Sequence, residues 1–198
     1  MGILQIHFLI SQAQLDIHYT MDFKGIKIMS TENIQEIVVA GGCFWGVEEY
    51  YQRLKGVIAT ETGYAQGIKD NPTYEEVCTM TTDHAEVVKI TYDADVISLE
   101  KILEHLFRMI DPISLNQQGG DVGTQYRTGV YYTNNADLPI IKAFITKEQQ
   151  AYSAPIAVEV EKLTKMWPAE EYHQTYLQKN PSGYCHINFA LIKPNELK

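Results

Sequence analysis

Among the 198 residues stand three cysteines, and one of them occupies a position suited to sulfur chemistry. In VVAGGCFWGVEEYYQRLKG, residues 38–56, Cys43 follows two glycines and precedes two aromatics, Phe44 and Trp45, that read as exposed. Residues 37–40 are an apolar, β-branched run of the kind a central strand shows, and Gly41-Gly42 punctuates it. Phe44, Val47, Tyr50, Tyr51 and Leu54 then recur at three and four, one face of a helix, with Gly56 where a C′ glycine would stop it. Cys43 therefore lies at a helix N-terminus, whose unpaired N–H groups and positive dipole end favour thiolate over thiol. A small packed hydrophobe is the competing reading, since cysteine is among the most buried residue types. The glycine turn and the helix start shift the balance toward a nucleophile.

Other candidates are less self-contained. Alternation along HAEVVKITY puts His84, Glu86, Val88, Ile90 and Tyr92 on the more apolar face of a strand. A carboxylate there is costly without a partner, so its pKa should rise, and a carboxyl protonated near neutrality is a general-acid candidate. A strand-end glutamate reaching water or an arginine fits the spacing equally. Tyr74 follows NPT in a turn and Tyr126 follows DVGTQ, so both lie on segments able to line a site, although a tyrosine is by default a packing residue. Asp121 in QQGGDVGT suits a turn-organising role as well. Cys185 stands in the Pro/Gly-punctuated tail KNPSGYCHINF. A thiol on a rigid helix start and another on a mobile tail suit attack and resolution, though nothing in the spacing demands it.

Several elements must position these groups. After the first strand and helix, GVIATETGYAQG reads as β-rich, DNPTYEEVCTMTTD as turn with one helical turn, and HAEVVKITYD as strand. SLEKILEHLFRMI carries the stripe Leu99, Ile102, Leu103, Leu106 and Ile110, with Ser98 as N-cap and Asp111-Pro112 as terminator. No period survives over residues 111–126, and a loop of that length in a compact domain is usually functional or disordered. RTGVYYT is strand-like, 137–153 helical, IAVEVEKL a strand, 169–178 a short helix, and the tail beyond Asn180 irregular. The order predicts an α+β fold: a two-layer mixed-sheet sandwich with a ferredoxin-like split βαβ core and an irregular C-terminal tail.

Composition bounds the rest. With 45% hydrophobic and 21% charged residues the chain can bury a real core, and its length suits one catalytic domain over residues 33–198. Residues 1–32 carry no clear period and are expected to form an N-terminal extension. A net charge of −9 argues against nucleic acid or an anionic membrane as partner. Three cysteines without CxxC give neither a disulfide scaffold nor a common zinc pattern, so no metal is expected. MGILQIHFLISQ lacks a basic start and makes a poor signal peptide, and no apolar run approaches a transmembrane span. The cytoplasm, where thiols stay reduced, is the expected location.

Taken together, the motifs resemble a known family, the A-type peptide methionine sulfoxide reductases, which act on the S epimer of methionine sulfoxide. GGCFWGVE, GYAQG, NPTYEEVC, HAEVV, DPISLNQQGGDVGTQYR and YHQTYLQKNPSGYC occur in that family's order and at its spacings. The resemblance implies that Cys43 is the nucleophile, that Phe44 and Trp45 cradle the substrate's S-methyl group, and that Glu86 is the carboxyl acid. It further implies Tyr74 and Tyr126 as binders of the sulfoxide oxygen, Asp121 as the loop aspartate, and Cys185 as the resolving thiol. Met80 and Asp83 stand where glycines are expected, and Gly120 replaces a usual asparagine, which puts the loop conformation in question. Cys78 matches ordinary family sequence and is expected to be structural.

The implied cycle runs through a Cys43 sulfenic acid and a Cys43–Cys185 disulfide to reduction by thioredoxin. It uses no cofactor, takes oxidised proteins or free methionine sulfoxide as substrate, and suits a monomer. Two other readings of the same residues are a cysteine hydrolase or acyltransferase with His84 or His186 as base, and a non-catalytic redox-sensing interaction domain.

Overall fold

A computed structural model describes residues 33–198 and, ahead of them, two short strands, β1 (Met21–Asp22) and β2 (Gly25–Ile26), which pair antiparallel. The expected extension otherwise lies outside the described residues. Asn33–Lys198 is one compact unit. Along it run β3 (Ile34–Gly41), α1 (Phe44–Gln52), β4 (Val57–Ala65), α2 (Tyr74–Cys78), β5 (Ala85–Asp93) and α3 (Leu99–Met109). Two-residue strands β6 (Gln117–Gln118) and β7 (Asp121–Val122) follow, then β8 (Thr128–Tyr132), α4 (Asp137–Glu148), β9 (Glu159–Lys162), β10 (Met166–Pro168) and α5 (Tyr176–Lys179).

Six strands form one sheet in the order β10-β4-β5-β3-β8-β9, antiparallel throughout except for β8 beside β9. β5 pairs antiparallel with both β3 and β4, so the unit β3-α1-β4 is split by a strand inserted between its parallel pair. β3 likewise splits β5-α3-β8. This double split is the ferredoxin-like plan expected from the element order.

The helical face of the sheet carries the main core, where Val88, Ile90 and Tyr92 of β5 join Phe44, Val47, Tyr50, Tyr51 and Leu54 from α1 and its end. Val87 and Ala85 face the other way, with Val38, Ala40 and Tyr131. Two tyrosine hydroxyls inside the core are satisfied: that of Tyr51 donates to the Ile102 carbonyl at 2.9 Å, and that of Tyr50 meets His105 at 3.1 Å. Ser98 caps α3 by accepting from the Lys101 N–H at 3.2 Å.

Four local features differ from the sequence reading. α1 stops at Gln52, and Gly56 serves instead as a left-handed reversal (φ 86°) where a Cβ would lie 2.5 Å from Ile97. In place of the expected 169–178 helix only the single turn Tyr176–Lys179 forms, because Thr175 takes a left-handed φ of 50° and Gln174 bonds the Thr62 and Ala169 backbone. β10 is an unforeseen edge strand ending in Pro168, an edge being where a strand proline is tolerated. The loop over 111–126 contains the β6–β7 hairpin and ends in a 3-10 turn, Thr124–Tyr126. No helix among the described residues is long and apolar enough to cross a membrane.

Candidate active site

At the end of β3 the chain turns through Gly42, whose φ of 85° and tight surroundings require glycine: a Cβ there would lie 2.7 Å from Gln118. Gln118 cannot give way easily, since its amide bonds both the N–H and the carbonyl of Asp111 at 2.8 Å. Cys43 follows as N-cap of α1, and the next N–H, that of Phe44, donates to a Glu86 carboxyl oxygen at 3.0 Å. The alternation along β5 thus places Glu86 where the sequence put it, on the core face beneath the thiol.

Burial governs both groups. Glu86 is 2% exposed; desolvation pushes its pKa up to about 8, with the Phe44 N–H pulling down and Asp121 adding to the rise. Desolvation also holds the Cys43 thiol well above its usual range, reinforced by Glu86, Asp121 and Cys185, with only the Trp45 N–H opposing. The helix terminus was expected to favour thiolate. Its N–H contribution is present, but loss of solvent outweighs it, so burial favours the thiol.

Tyr74 opens α2, which Thr73 and Glu76 start as a reciprocal capping box. Tyr126 closes the 3-10 turn, next to Arg127, whose guanidinium donates to the Thr124 and Asp83 carbonyls at 3.1 Å and to Glu159 at 3.0 Å. Desolvation raises both tyrosine hydroxyls, and Glu86 raises both further, so the two loops bring them into the field of one carboxyl. Asp121, on β7, accepts from the Tyr184 hydroxyl at 3.1 Å and bears on Cys43, Glu86 and Tyr126.

The three departures in these loops are absorbed. Met80 (φ 62°) and Asp83 (φ 55°) take the left-handed backbone that glycines would take there. At Gly120 a Cβ would meet only the Tyr184 hydroxyl, at 3.7 Å, so nothing about this turn demands glycine.

The aromatics are not exposed as their surroundings in sequence suggested. Phe44 is 1% exposed, its ring 5.9 Å from Tyr64 and 5.1 Å from His173. Trp45 is half-buried because Tyr176 stacks on it at 3.8 Å. Its indole N–H donates to His173 Nδ1 at 3.0 Å, which leaves the histidine proton on Nε2. His173 also lies 4.5 Å from the Tyr74 ring, and Glu170 ties the Tyr64 hydroxyl (2.8 Å) to the Tyr74 N–H (2.9 Å). His173, Tyr176, Glu170 and Tyr64 were not singled out from the sequence. The first three sit in or beside YHQTYLQ, within the stretch read from the sequence only as a short helix.

Cys185 reaches back to α1: a Cβ on Gly46 would lie 2.9 Å from its sulfur. The sulfur also receives the Ile187 N–H at 3.4 Å. All three cysteines are free. Cys78, expected to be a packing residue, is exposed at the end of α2. A buried thiol, a protonated carboxyl, two hydroxyls and an aromatic wall can together attack and protonate a small polar group carried on an apolar arm.

Comparison with known proteins agrees. The profile of the peptide methionine sulfoxide reductase family matches residues 35–197. Peptide methionine sulfoxide reductase MsrA of Clostridium botulinum (strain Okra / Type B1) is 57% identical over 155 residues, covering 78% of this chain and 99% of the relative. Reduced Mxr1 from Saccharomyces cerevisiae superposes with a TM-score of 0.74 at 38% identity, over 79% of this chain and 91% of that one. Mxr1 in complex with Trx2 matches at a TM-score of 0.53 and 23% identity, over 74% and 87%, a likeness of fold alone.

Proposed function

Because the chain belongs to the peptide methionine sulfoxide reductase family and is an enzyme of that activity, we propose that it reduces the S epimer of methionine sulfoxide, peptide-bound or free, by thiol chemistry at Cys43. The sulfoxide's methyl group rests against Phe44 and Trp45, and its oxygen is bonded by Tyr74 and Tyr126. Asp121 steadies the facing loop. Cys43 attacks the sulfoxide sulfur while Glu86 gives a proton to the oxygen and takes up the one the thiol loses. The tyrosine hydroxyls stabilise the oxygen as it gains charge. Oxygen leaves with the Cys43 sulfur as a sulfenic acid, methionine departs, and two electrons have passed from the thiol sulfur to the methionine sulfur.

Cys185 then condenses with the sulfenic acid to a disulfide and water, and thioredoxin, at about −270 mV, is the proposed dithiol that reopens it. Mxr1 has been captured with Trx2, which is a fact about that protein and motivates the choice here. We further propose that residues 33–198 suffice as the catalytic domain, that the enzyme works as a monomer, and that a reducing cytoplasm is its setting.

One observation carries the reading: a carboxyl pushed up to about 8, bonded to the N–H next to the thiol, is protonated at neutral pH and positioned to act as an acid. The test is turnover with dithiothreitol on separated epimers of a methionine sulfoxide peptide. The S epimer should be consumed and the R epimer left. Equal rates would sink the assignment, and an acyl-enzyme formed without reductant would favour a hydrolase.

A further inference from the structure

The imidazole of His186 has no part in the chemistry above, yet it packs against the turn that carries Cys43. It follows Cys185 in the tail, and its Cε1 lies 3.2 Å from where a Cβ on Gly42, the residue before Cys43, would sit. Gly119 leaves room on another side, where an added Cβ would be 3.1 Å from the His186 Cβ. Only 8% of the side chain is exposed, and neither ring nitrogen has a hydrogen-bond partner among the described residues. Asp121 Oδ2, fixed by the Tyr184 hydroxyl at 3.1 Å, stands 3.6 Å from Nδ1.

The titratable groups around the ring are Asp121 from the β6–β7 hairpin and Tyr184, which bonds Asp121; Cys185 precedes His186 in the chain, and Cys43 follows the Gly42 against which the ring packs. Desolvation keeps the ring below its usual 6.5, against the opposing pull of Asp121 and the nearby Gly41 backbone, so it is a neutral base at physiological pH. Desolvation also keeps both thiols above their usual value, so forming the disulfide requires a base.

We propose that His186, steadied by Asp121, is the proton carrier of the recycling step. The inference rests on the reductase reading, which supplies the Cys43 sulfenic acid. As the Cys185 sulfur attacks the sulfenic sulfur, the S–S bond forms and the S–O bond breaks. The Cys185 proton passes to His186 and from it to the departing hydroxide, which leaves as water. One sulfur is reduced as the other is oxidised, so no outside oxidant or reductant enters.

To test this, the full chain is mixed with one equivalent of an S-methionine sulfoxide peptide without reductant. Methionine release and dimedone-trappable sulfenic acid are then followed separately between about pH 5 and 8. In His186→Asn, methionine should appear at a rate within about threefold of the unsubstituted chain while the sulfenic acid persists at least about tenfold longer. His186→Gln should behave alike, and added imidazole should speed both variants. In the unsubstituted chain the closure rate should fall as pH drops through an imidazole ionisation below 6.5, an inflection both variants lack. Closure at the unsubstituted rate in the variants, equal slowing of both steps, or an inflection that survives in them would overturn the role of His186 alone. No methionine from the unsubstituted chain would overturn the reductase reading and this role with it.

Discussion

Glu86→Gln separates the chemistry from the architecture. The amide is isosteric and can still accept the Phe44 N–H, so the site should assemble, but it cannot deliver a proton near neutral pH. A positioned general acid contributes about 10²–10⁴-fold, and the first-turnover rate should fall by that factor at pH 7. With a pKa of about 8, roughly nine-tenths of Glu86 is protonated at pH 7 and one-tenth at pH 9. The unsubstituted enzyme should therefore lose its acid over this interval, while the variant should gain rate with pH as more Cys43 thiolate forms. The two profiles should converge at high pH.

Stability moves in the opposite sense. Glu86 has a folded pKa above its ordinary 4.5, so between 4.5 and about 8 the folded chain binds a proton the unfolded chain has released, and stability falls as pH rises through that window. Keeping the carboxyl protonated costs about 1.36 kcal/mol for each pH unit between 4.5 and 7, about 3 kcal/mol at pH 7, which the amide does not incur. Glu86→Gln should thus be the more stable protein at neutral pH and little different below pH 4.5. Rapid-quench methionine release and denaturant unfolding measure the two sides. A near-normal burst together with no gain in stability would refute the protonated, catalytic carboxyl.

Three further outcomes follow from the geometry. Cys185→Ser should release about one methionine per chain and stop with a sulfenic acid that dimedone traps, with thioredoxin-driven turnover lost. Cys78→Ser should turn over normally and change stability by no more than about 0.5 kcal/mol, because the side chain is exposed; loss of recycling in this variant would transfer the resolving role to it. Met80→Gly should raise stability by about 0.5–1 kcal/mol in urea titrations, since relief of the left-handed φ of 62° exceeds the entropy glycine adds to the unfolded chain.

Much of this was legible because it is periodic. The stripe on α1, the capped stripe on α3 and the alternation of β5 each fix which side chains face the core, and the last set Glu86 there without reference to any relative. What could not be read depends on contacts between distant segments. His173 and Tyr176 become part of the aromatic wall only because Glu48 on α1 accepts the Thr175 N–H at 2.8 Å and Gln174 grips the edge of β4. β10 and the β6–β7 hairpin have too few residues for a period to show. The thiol was misjudged for a related reason: a helix terminus is a local feature, whereas the burial that outweighs it is assembled from the whole fold.

The central claim is that sulfoxide oxygen leaves on Cys43 and that Cys185 resolves it. The most direct measurement mixes stoichiometric enzyme with an S-methionine sulfoxide peptide and no reductant, counts methionine and free thiols, and maps any disulfide by mass spectrometry. About one methionine per chain should appear as two of the three thiols vanish into a single Cys43–Cys185 link, with Cys78 still open to alkylation. Methionine formed with all three thiols intact, or a link that includes Cys78, would contradict the account.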